Sequence, residues 1–191
     1  MKDFLLIGPF HAMHYKGVFP LIMGGKVRFG ADRRLMRAFT VPGGTERKFA
    51  NIIWFTTLRH DNPAPPLKLT ATYSPEKYPK YDNYDAIEVG RTEDMPCDYE
   101  GVMGVPLTFV ERWDPGQFGL VGITKSWSEL RTKRYGTVEF VHPDGRRERC
   151  DALDASAAVE VPEPPVGKAY YVAGGRLYIM PYVRLLVRRK S

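Results

Sequence analysis

A chain of 191 residues suits one domain or one and a half, and at 43% hydrophobic residues it can bury a real core, which excludes a disordered protein. Its net charge of +6 and pI near 9.3 favour an acidic partner, nucleic acid first, without fixing fold or specificity. Two distant cysteines, Cys97 and Cys150, exclude a disulfide framework. No apolar run approaches the ~20 residues that span a bilayer. Asp3, Gly8 and Pro9 spoil the opening residues as a secretory leader. A cytoplasmic chain with free thiols and no membrane contact is expected. His11 and His14, three apart, would need carboxylates from elsewhere to hold a metal, so no metal site is expected.

In chain order, FLLIG (4–8) is continuously apolar with a glycine stop, the pattern of a strand buried on both faces inside a parallel sheet. HAMHYKGVFPLIMGG (11–25) has near-helical apolar spacing, with Pro20 as a disturbance and Gly24-Gly25 as a stop, and KVRFG (26–30) reads as a strand. A strand buried on both faces needs neighbours on both sides. With FLLIG this close to Met1, later strands or a partner must supply them.

NIIWFTTLRH (51–60) reads as a strand, and the proline-rich stretch 60–81 as a surface loop. DAIEVG (85–90), GVPLTFVERW (104–113) and FGLVGITKSW (118–127) read as strands separated by turns such as Asp114-Pro115-Gly116. GTVEFVHPDGRRERCDA (136–152) is a hairpin candidate around Pro143-Asp144-Gly145. VPEPPVGK (161–168) is a linker-like turn, and the tail from Gly175 closes with an apolar strand and a basic end. The glycine pairs Gly43-Gly44 and Gly174-Gly175 fit turns, not a phosphate or dinucleotide loop, and no serine sits in a nucleophile elbow.

Several stretches carry a resemblance. KYDNYDAIEV and MPCDYEGVMGVPLTFVERWDPGQFGLVG resemble the C-terminal half of the EcoRI-type adenine-specific DNA methyltransferases. FLLIGPFHAMHYKGVFPLIMGGKVRFG is similar to the segment after that family's catalytic motif. NIIWFTTL resembles its W-F-T-N-L stretch, with Thr57 in place of asparagine, and GRLYIMPYVRLLVRRK resembles its closing strand. Residues 126–165 fall outside the match.

The resemblance implies methyl transfer from S-adenosylmethionine to the N6 amine of a flipped-out adenine, which must be gripped by acceptors and stacked on an aromatic ring. In the family, N-P-P-F does this beside a cofactor loop at the carboxyl ends of a doubly wound sheet. Neither motif is in this sequence. Asn62-Pro63-Ala64-Pro65 lacks the aromatic and reads better as a proline turn. The implied fold is α/β: residues 1–50 a strand–helix–strand remnant of the catalytic sheet, and 51–191 a β-rich target-recognition region that includes closing strands of the sheet. The implied function is the C-terminal part of a restriction–modification adenine methyltransferase, either a truncated fragment or the partner of a separately encoded N-terminal half. It would be inactive alone, with no catalytic residue and no S-adenosylmethionine bound by this chain by itself. The rival reading is a stand-alone, non-catalytic binder of double-stranded DNA.

Candidate DNA contacts follow. Arg131, Lys133 and Arg134 lie beside Trp127 and Tyr135, and Arg146, Arg147 and Arg149 at the hairpin turn, where a ribbon can enter a groove. Arg188, Arg189 and Lys190 end the chain. Such groups neutralise phosphates or form an ordinary solvated surface. His11, His14, Tyr15 and Lys16 follow the carboxyl end of the first strand, the edge that faces the ligand crevice in an open α/β sheet. Tyr81, Asn83 and Tyr84 either stack on or bond a base, or form a turn with Asp85 that satisfies backbone amides. Gly101, Gly104 and Pro106 read as backbone-shaping residues, and Trp54, Phe55, Met103 and Phe109 as core.

Overall fold

The computed structural model describes residues 2–30, 38–49, 51–59 and 66–190. The chain divides into two compact units: Met1–Pro65 with Glu111–Trp113, and Pro66–Val110 with Asp114–Ser191.

In the first unit, strand β1 (Leu5–Pro9) runs into a 3-10 turn at Phe10–His14, helix α1 (Phe19–Met23) and strand β2 (Arg28–Phe29). Strands β3 (Ala38–Thr40) and β4 (Glu46–Lys48) form a separate hairpin, and β5 (Ile52–Thr56) follows. The expected strand–helix–strand order is present, but its two strands are not neighbours. Sheet order is β1-β5-β2, with both pairings to β5 antiparallel. Thus β1 and β2 point the same way with a reversed strand between them. Pro20 lies in the first turn of α1, after Phe19, instead of disturbing it, since that turn has no use for its missing N–H. Gly25, at φ 65°, follows the helix end in the left-handed region.

The core of this unit is Met13, Phe19, Ile22, Val27, Phe29, Ile53 and Phe55. Gly8 packs closely under Phe55: a Cβ there would meet the ring at 3.2 Å, so the ring would have to give slightly. Thr56 and Thr57 fasten the start of β1. The Thr56 hydroxyl donates to Phe4 O at 2.8 Å, and the Thr57 hydroxyl accepts from Phe4 N at 3.0 Å.

The expectation for β1 itself needs correcting. Leu5, Leu6 and Ile7 are 55%, 57% and 40% exposed, so neither face of the strand is buried. Successive side chains point to opposite faces. Among the described residues β1 pairs with β5 alone, and antiparallel, so its second edge carries no ladder.

The second unit contains β6 (Ile87–Glu88), β7 (Met103–Pro106), β8 (Phe118–Ile123), β9 (Val138–Val141), β10 (Arg147–Cys150), β11 (Val159–Val161), β12 (Tyr170–Ala173), β13 (Arg176–Ile179) and β14 (Arg184–Arg189). They form two sheets, β6-β7-β14-β8 and β10-β9-β12-β13-β11. All pairings are antiparallel except β6 with β7. The protein is therefore mainly β, with few helices. The apolar run Leu185-Leu186-Val187 lies at the centre of its sheet and is buried on both faces. It pairs with β7 and β8 and has an irregularity between Leu186 and Val187.

The expected strand 104–113 is only partly strand: after Pro106 the chain turns into a 3-10 segment, Leu107–Glu111, that buries Phe109 and Val110. Proline cannot donate to the ladder, and the run stops there. Likewise the tail is two strands broken around Pro181. The hairpin expected at 136–152 is present as β9 and β10, with Gly145 at φ 84° and Asp144 Oδ1 accepting from Arg146 N at 3.0 Å. Met103 and Phe109 are fully buried, Phe55 nearly so, and Trp54 half-buried.

Candidate nucleic-acid interface

The tetrad Tyr81-Asp82-Asn83-Tyr84 sits between the two sheets of the second unit, and each member has a partner within the protein. Tyr81 donates its hydroxyl to Glu88, whose carboxylate also receives Arg184 Nη2 at 2.6 Å and Nε at 3.1 Å. Burial, then the charge of Glu88, push the Tyr81 phenol well above its ordinary range and keep it protonated. Gly104 makes room for the ring: a Cβ there would lie 2.0 Å from the Tyr81 hydroxyl. Gly101 plays the same part for Tyr99.

Asn83 is fully buried. Its Nδ2 donates to Ser156 O at 3.0 Å, and its Oδ1 accepts from Ala158 N at 2.8 Å. Tyr84 donates to Lys125 O at 3.2 Å, and burial raises its phenol. As folded, Tyr81, Asn83 and Tyr84 direct these polar atoms to partners within the protein: Glu88, Ser156 O with Ala158 N, and Lys125 O.

Asp82 accepts from Lys133 Nζ and from the Tyr135 hydroxyl at 2.6 Å. Burial opposes its ionisation, but hydrogen bonds from Lys133, Tyr135 and Tyr178 outweigh burial and hold its carboxyl below the usual range. The Lys133 ammonium lies 4.8 Å from the centre of the Tyr135 ring. Arg131 has 4% of its side chain exposed; Nη2 donates to Lys125 O at 3.1 Å and Nη1 lies 3.5 Å from Asp154. Asp154 in turn accepts from Tyr135 N and Gly136 N. The segment 131–136 is therefore laced to the core by Arg131 and Lys133, and Arg134 is the cation of the three that projects freely outward.

The hairpin is different. Arg146 and Arg147 are 62% and 60% exposed, each beside a partly exposed glutamate: Arg146 by Glu148 at 3.5 Å, Arg147 by Glu139 at 2.9 Å. Arg149 is exposed on the edge strand β10; in the other sheet Arg188 and Arg189, at the end of β14, and the following Lys190 are exposed too. Strand alternation puts Arg147 and Arg149 on one face of the ribbon.

In the first unit, the turn after β1 holds a run of rings. His11 and His14 are 5.6 Å apart, and His14 and Tyr15 are 5.8 Å apart. Met13 anchors this turn in the core, and His11, Tyr15 and Lys16 project outward while His14 is half-buried. Asn62-Pro63-Ala64-Pro65 lies outside the described residues.

Sequence reasoning missed the partners that organise the site: Glu88, Asp154 and Arg184. No local pattern links Glu88 to Arg184 over 96 positions. Gly104 was the available sign, because a glycine inside a strand marks a close approach. Among the described residues no group of three His, Cys, Asp or Glu is arranged to hold a metal ion, and no helix is long and apolar enough to cross a membrane. The pairs Gly43-Gly44 and Gly174-Gly175 close hairpins between β3 and β4 and between β12 and β13, all at positive φ. They do not form the loop between a strand and a helix that cradles a nucleotide cofactor.

Comparison with known proteins agrees with the motifs. The family model for the adenine-specific methyltransferase EcoRI matches residues 1–190. Type II methyltransferase M.EcoRI of Escherichia coli is 39% identical over 150 residues, covering 67% of this chain and 45% of that protein. Type II methyltransferase M.MgeORF184P of Mycoplasma genitalium is 35% identical over 139 residues, covering 63% and 44%. M.MpnI of Mycoplasma pneumoniae is 32% identical over 139 residues, with the same coverage. The chain thus spans a little under half the length of these curated relatives, and no solved structure matches it. With nearly its whole length matched, the chain belongs to the EcoRI family of adenine-specific methyltransferases.

Proposed function

We propose that this chain is the C-terminal part of an S-adenosylmethionine-dependent adenine-N6 DNA methyltransferase of a restriction–modification type, that it supplies scaffold and DNA recognition, and that alone it does not methylate. The observation that carries this reading is the pairing of a family match over residues 1–190 with a sequence that has no N-P-P-F motif. The glycine pairs among the described residues close hairpins and do not fit the cofactor, so the reading assigns its pocket to residues outside this chain.

The free strand β1 supports the same reading. It is apolar on both faces, exposed, and, among the described residues, paired along one edge only. A further strand on that edge, with helices over both faces, would extend β1-β5-β2 into a doubly wound sheet. Leu5, Leu6 and Ile7 keep 55%, 57% and 40% of their surface exposed, so covering the remainder contributes on the order of 1 kcal/mol each. The partner in this reading is a separately encoded N-terminal half, or the remainder of one longer polypeptide.

For DNA, the exposed cations Lys16, Arg134, Arg146, Arg147 and Arg149 meet phosphates, and His11 and Tyr15 border the base near the carboxyl end of β1. Tyr81, Asn83, Tyr84, Arg131 and Lys133 hold the scaffold of the second unit, which carries Arg134, Arg146, Arg147 and Arg149. The test is transfer of labelled methyl from S-adenosylmethionine to DNA. The chain alone should give none, and adding the N-terminal segment of a relative should restore it. Robust transfer by the chain alone overturns the proposal. The exposed arginines also favour a second reading, a stand-alone DNA binder. That reading predicts salt-sensitive duplex binding that no added N-terminal segment converts into methylation.

A further inference from the structure

Two of the most exposed apolar side chains in the protein are Val166, 98% exposed, and Tyr182, 90% exposed. Both sit in proline-containing connections of the second unit. Val166 follows Pro164-Pro165 and precedes Gly167, which sits at φ 66° in a turn closed by Lys168 N donating to Pro165 O. Proline before and a turn glycine after hold the apolar tip outward at little entropic cost. Tyr182 follows Pro181 in the short link between β13 and β14.

Strand pairing places both at one end of the five-stranded sheet. Strands β9, β12 and β13 are side by side. Tyr170 faces Val141 and Tyr171 faces Tyr178, so Val141, Tyr170 and Ile179 share a row. Beyond that row emerge three neighbouring connections: the His142–Arg146 turn, the Pro165–Lys168 turn leading into β12, and the Met180–Val183 link leaving β13. The same end therefore presents the exposed cations Arg146, Arg147 and Lys168 around two isolated apolar projections.

Isolated projections flanked by cations suit a duplex better than a protein face, which needs a contiguous apolar patch. Apolar wedges that part a base step work alongside cations on the phosphates, and an enzyme that acts on an extruded base must unstack it. We propose that this end of the sheet is a duplex-contacting edge on which Val166 and Tyr182 enter or stack against a base step while Arg146 and Lys168 hold the flanking phosphates. The proposal rests on the DNA-binding reading above and adds which residues part the stack.

The test compares binding of the full chain, by fluorescence anisotropy at low salt, to a short fluorescein-labelled duplex and to the same duplex with a central mismatch. A wedge gains where unstacking is already cheap, so the wild type should prefer the mismatch by roughly tenfold. Val166→Gly combined with Tyr182→Ala should abolish the preference and leave matched-duplex affinity within about threefold, since phosphate contacts dominate it. Arg146→Ala with Lys168→Ala should weaken both duplexes alike. Equal affinity of the wild type for both duplexes, or a preference that survives in the Val166/Tyr182 variant, overturns the wedge and leaves DNA binding standing. Failure to bind either duplex overturns both.

Discussion

Arg184 grips the Glu88 carboxylate across 96 positions of sequence, with Nη2 at 2.6 Å and Nε at 3.1 Å from Oε1, while Tyr81 donates its hydroxyl to the same group. The side chains are only 12% and 15% exposed, so neither charge has water to fall back on. Removing one partner of such a pair leaves the other stranded. Arg184→Ala should destabilise by about 3–5 kcal/mol in urea unfolding, whereas Arg184→Met with Glu88→Gln should recover much of that loss. A shift below about 1 kcal/mol for Arg184→Ala would mean the pair is solvated in solution.

Gly104 and Tyr81 give a second test. A methyl at 104 cannot share space with the Tyr81 hydroxyl, and the ring is enclosed by Tyr84, Ala86, Val159 and Leu186. Gly104→Ala should cost roughly 2–3 kcal/mol through overpacking. Added to Tyr81→Phe it should cost somewhat less than on its own, because the nearest clashing atom is gone while ring carbons at 2.6 and 2.7 Å remain. Simple additivity in thermal melts of the double variant would assign the strain to those ring carbons and not to the hydroxyl.

The Asp82 network predicts a pH dependence. Its folded carboxyl titrates below the ordinary value of 3.8, so the unfolded chain takes up the proton first as pH falls. The stability contributed by Asp82 is complete above the unfolded value and disappears as pH drops through the lower, folded one. Urea midpoints of the wild type should fall more steeply between pH 5 and the acid limit than those of Asp82→Asn. Parallel curves would remove Asp82 from the account. At the alkaline end Lys133 and Tyr135 both titrate above their ordinary values, through Asp82 for the lysine and through burial and then Asp82 for the phenol. Their contribution is present below the unfolded values and is lost as pH rises through the folded ones.

The exposed hairpin gives a prediction about affinity. If Arg146, Arg147 and Arg149 each neutralise one phosphate, replacing all three by Ala should reduce the slope of log affinity against log salt by about 2.7, near 0.9 for each contact. Replacing Arg131 instead should lower stability and leave the slope unchanged, because its guanidinium is committed to Lys125 O and Asp154. An unchanged slope in the triple variant would make the ribbon an ordinary solvated surface.

Elements that depend on local chemistry were readable in the sequence. Asp144-Gly145 marks its hairpin because the turn needs a positive φ, and Leu185-Leu186-Val187 announces an apolar strand, whose two faces the fold covers. FLLIG carries the same signature, yet in this chain its faces are bare, since an apolar run reports what a strand requires and not whether the requirement is met. The basic clusters were found by composition, but composition cannot separate Arg131, enclosed by Asp154 and Lys125, from the exposed Arg146. Distant partners such as Glu88 and Arg184 left no local pattern at all.

That bare strand supplies the sharpest test of how the chain works. Leu6 is 57% exposed, and among the described residues only one edge of its strand is paired. In the isolated chain Leu6→Lys exchanges one solvated side chain for another, so its unfolding free energy should stay within about 0.5 kcal/mol of wild type. In a reconstituted methyltransferase the same position should be buried, where an unpaired ammonium costs several kcal/mol. Leu6→Lys should therefore abolish restoration of methyl transfer by the N-terminal segment while leaving salt-dependent duplex binding by the chain intact. Full restoration with the lysine in place would show that β1 does not join the rest of the enzyme through this face, and the scaffold reading would lose its structural support.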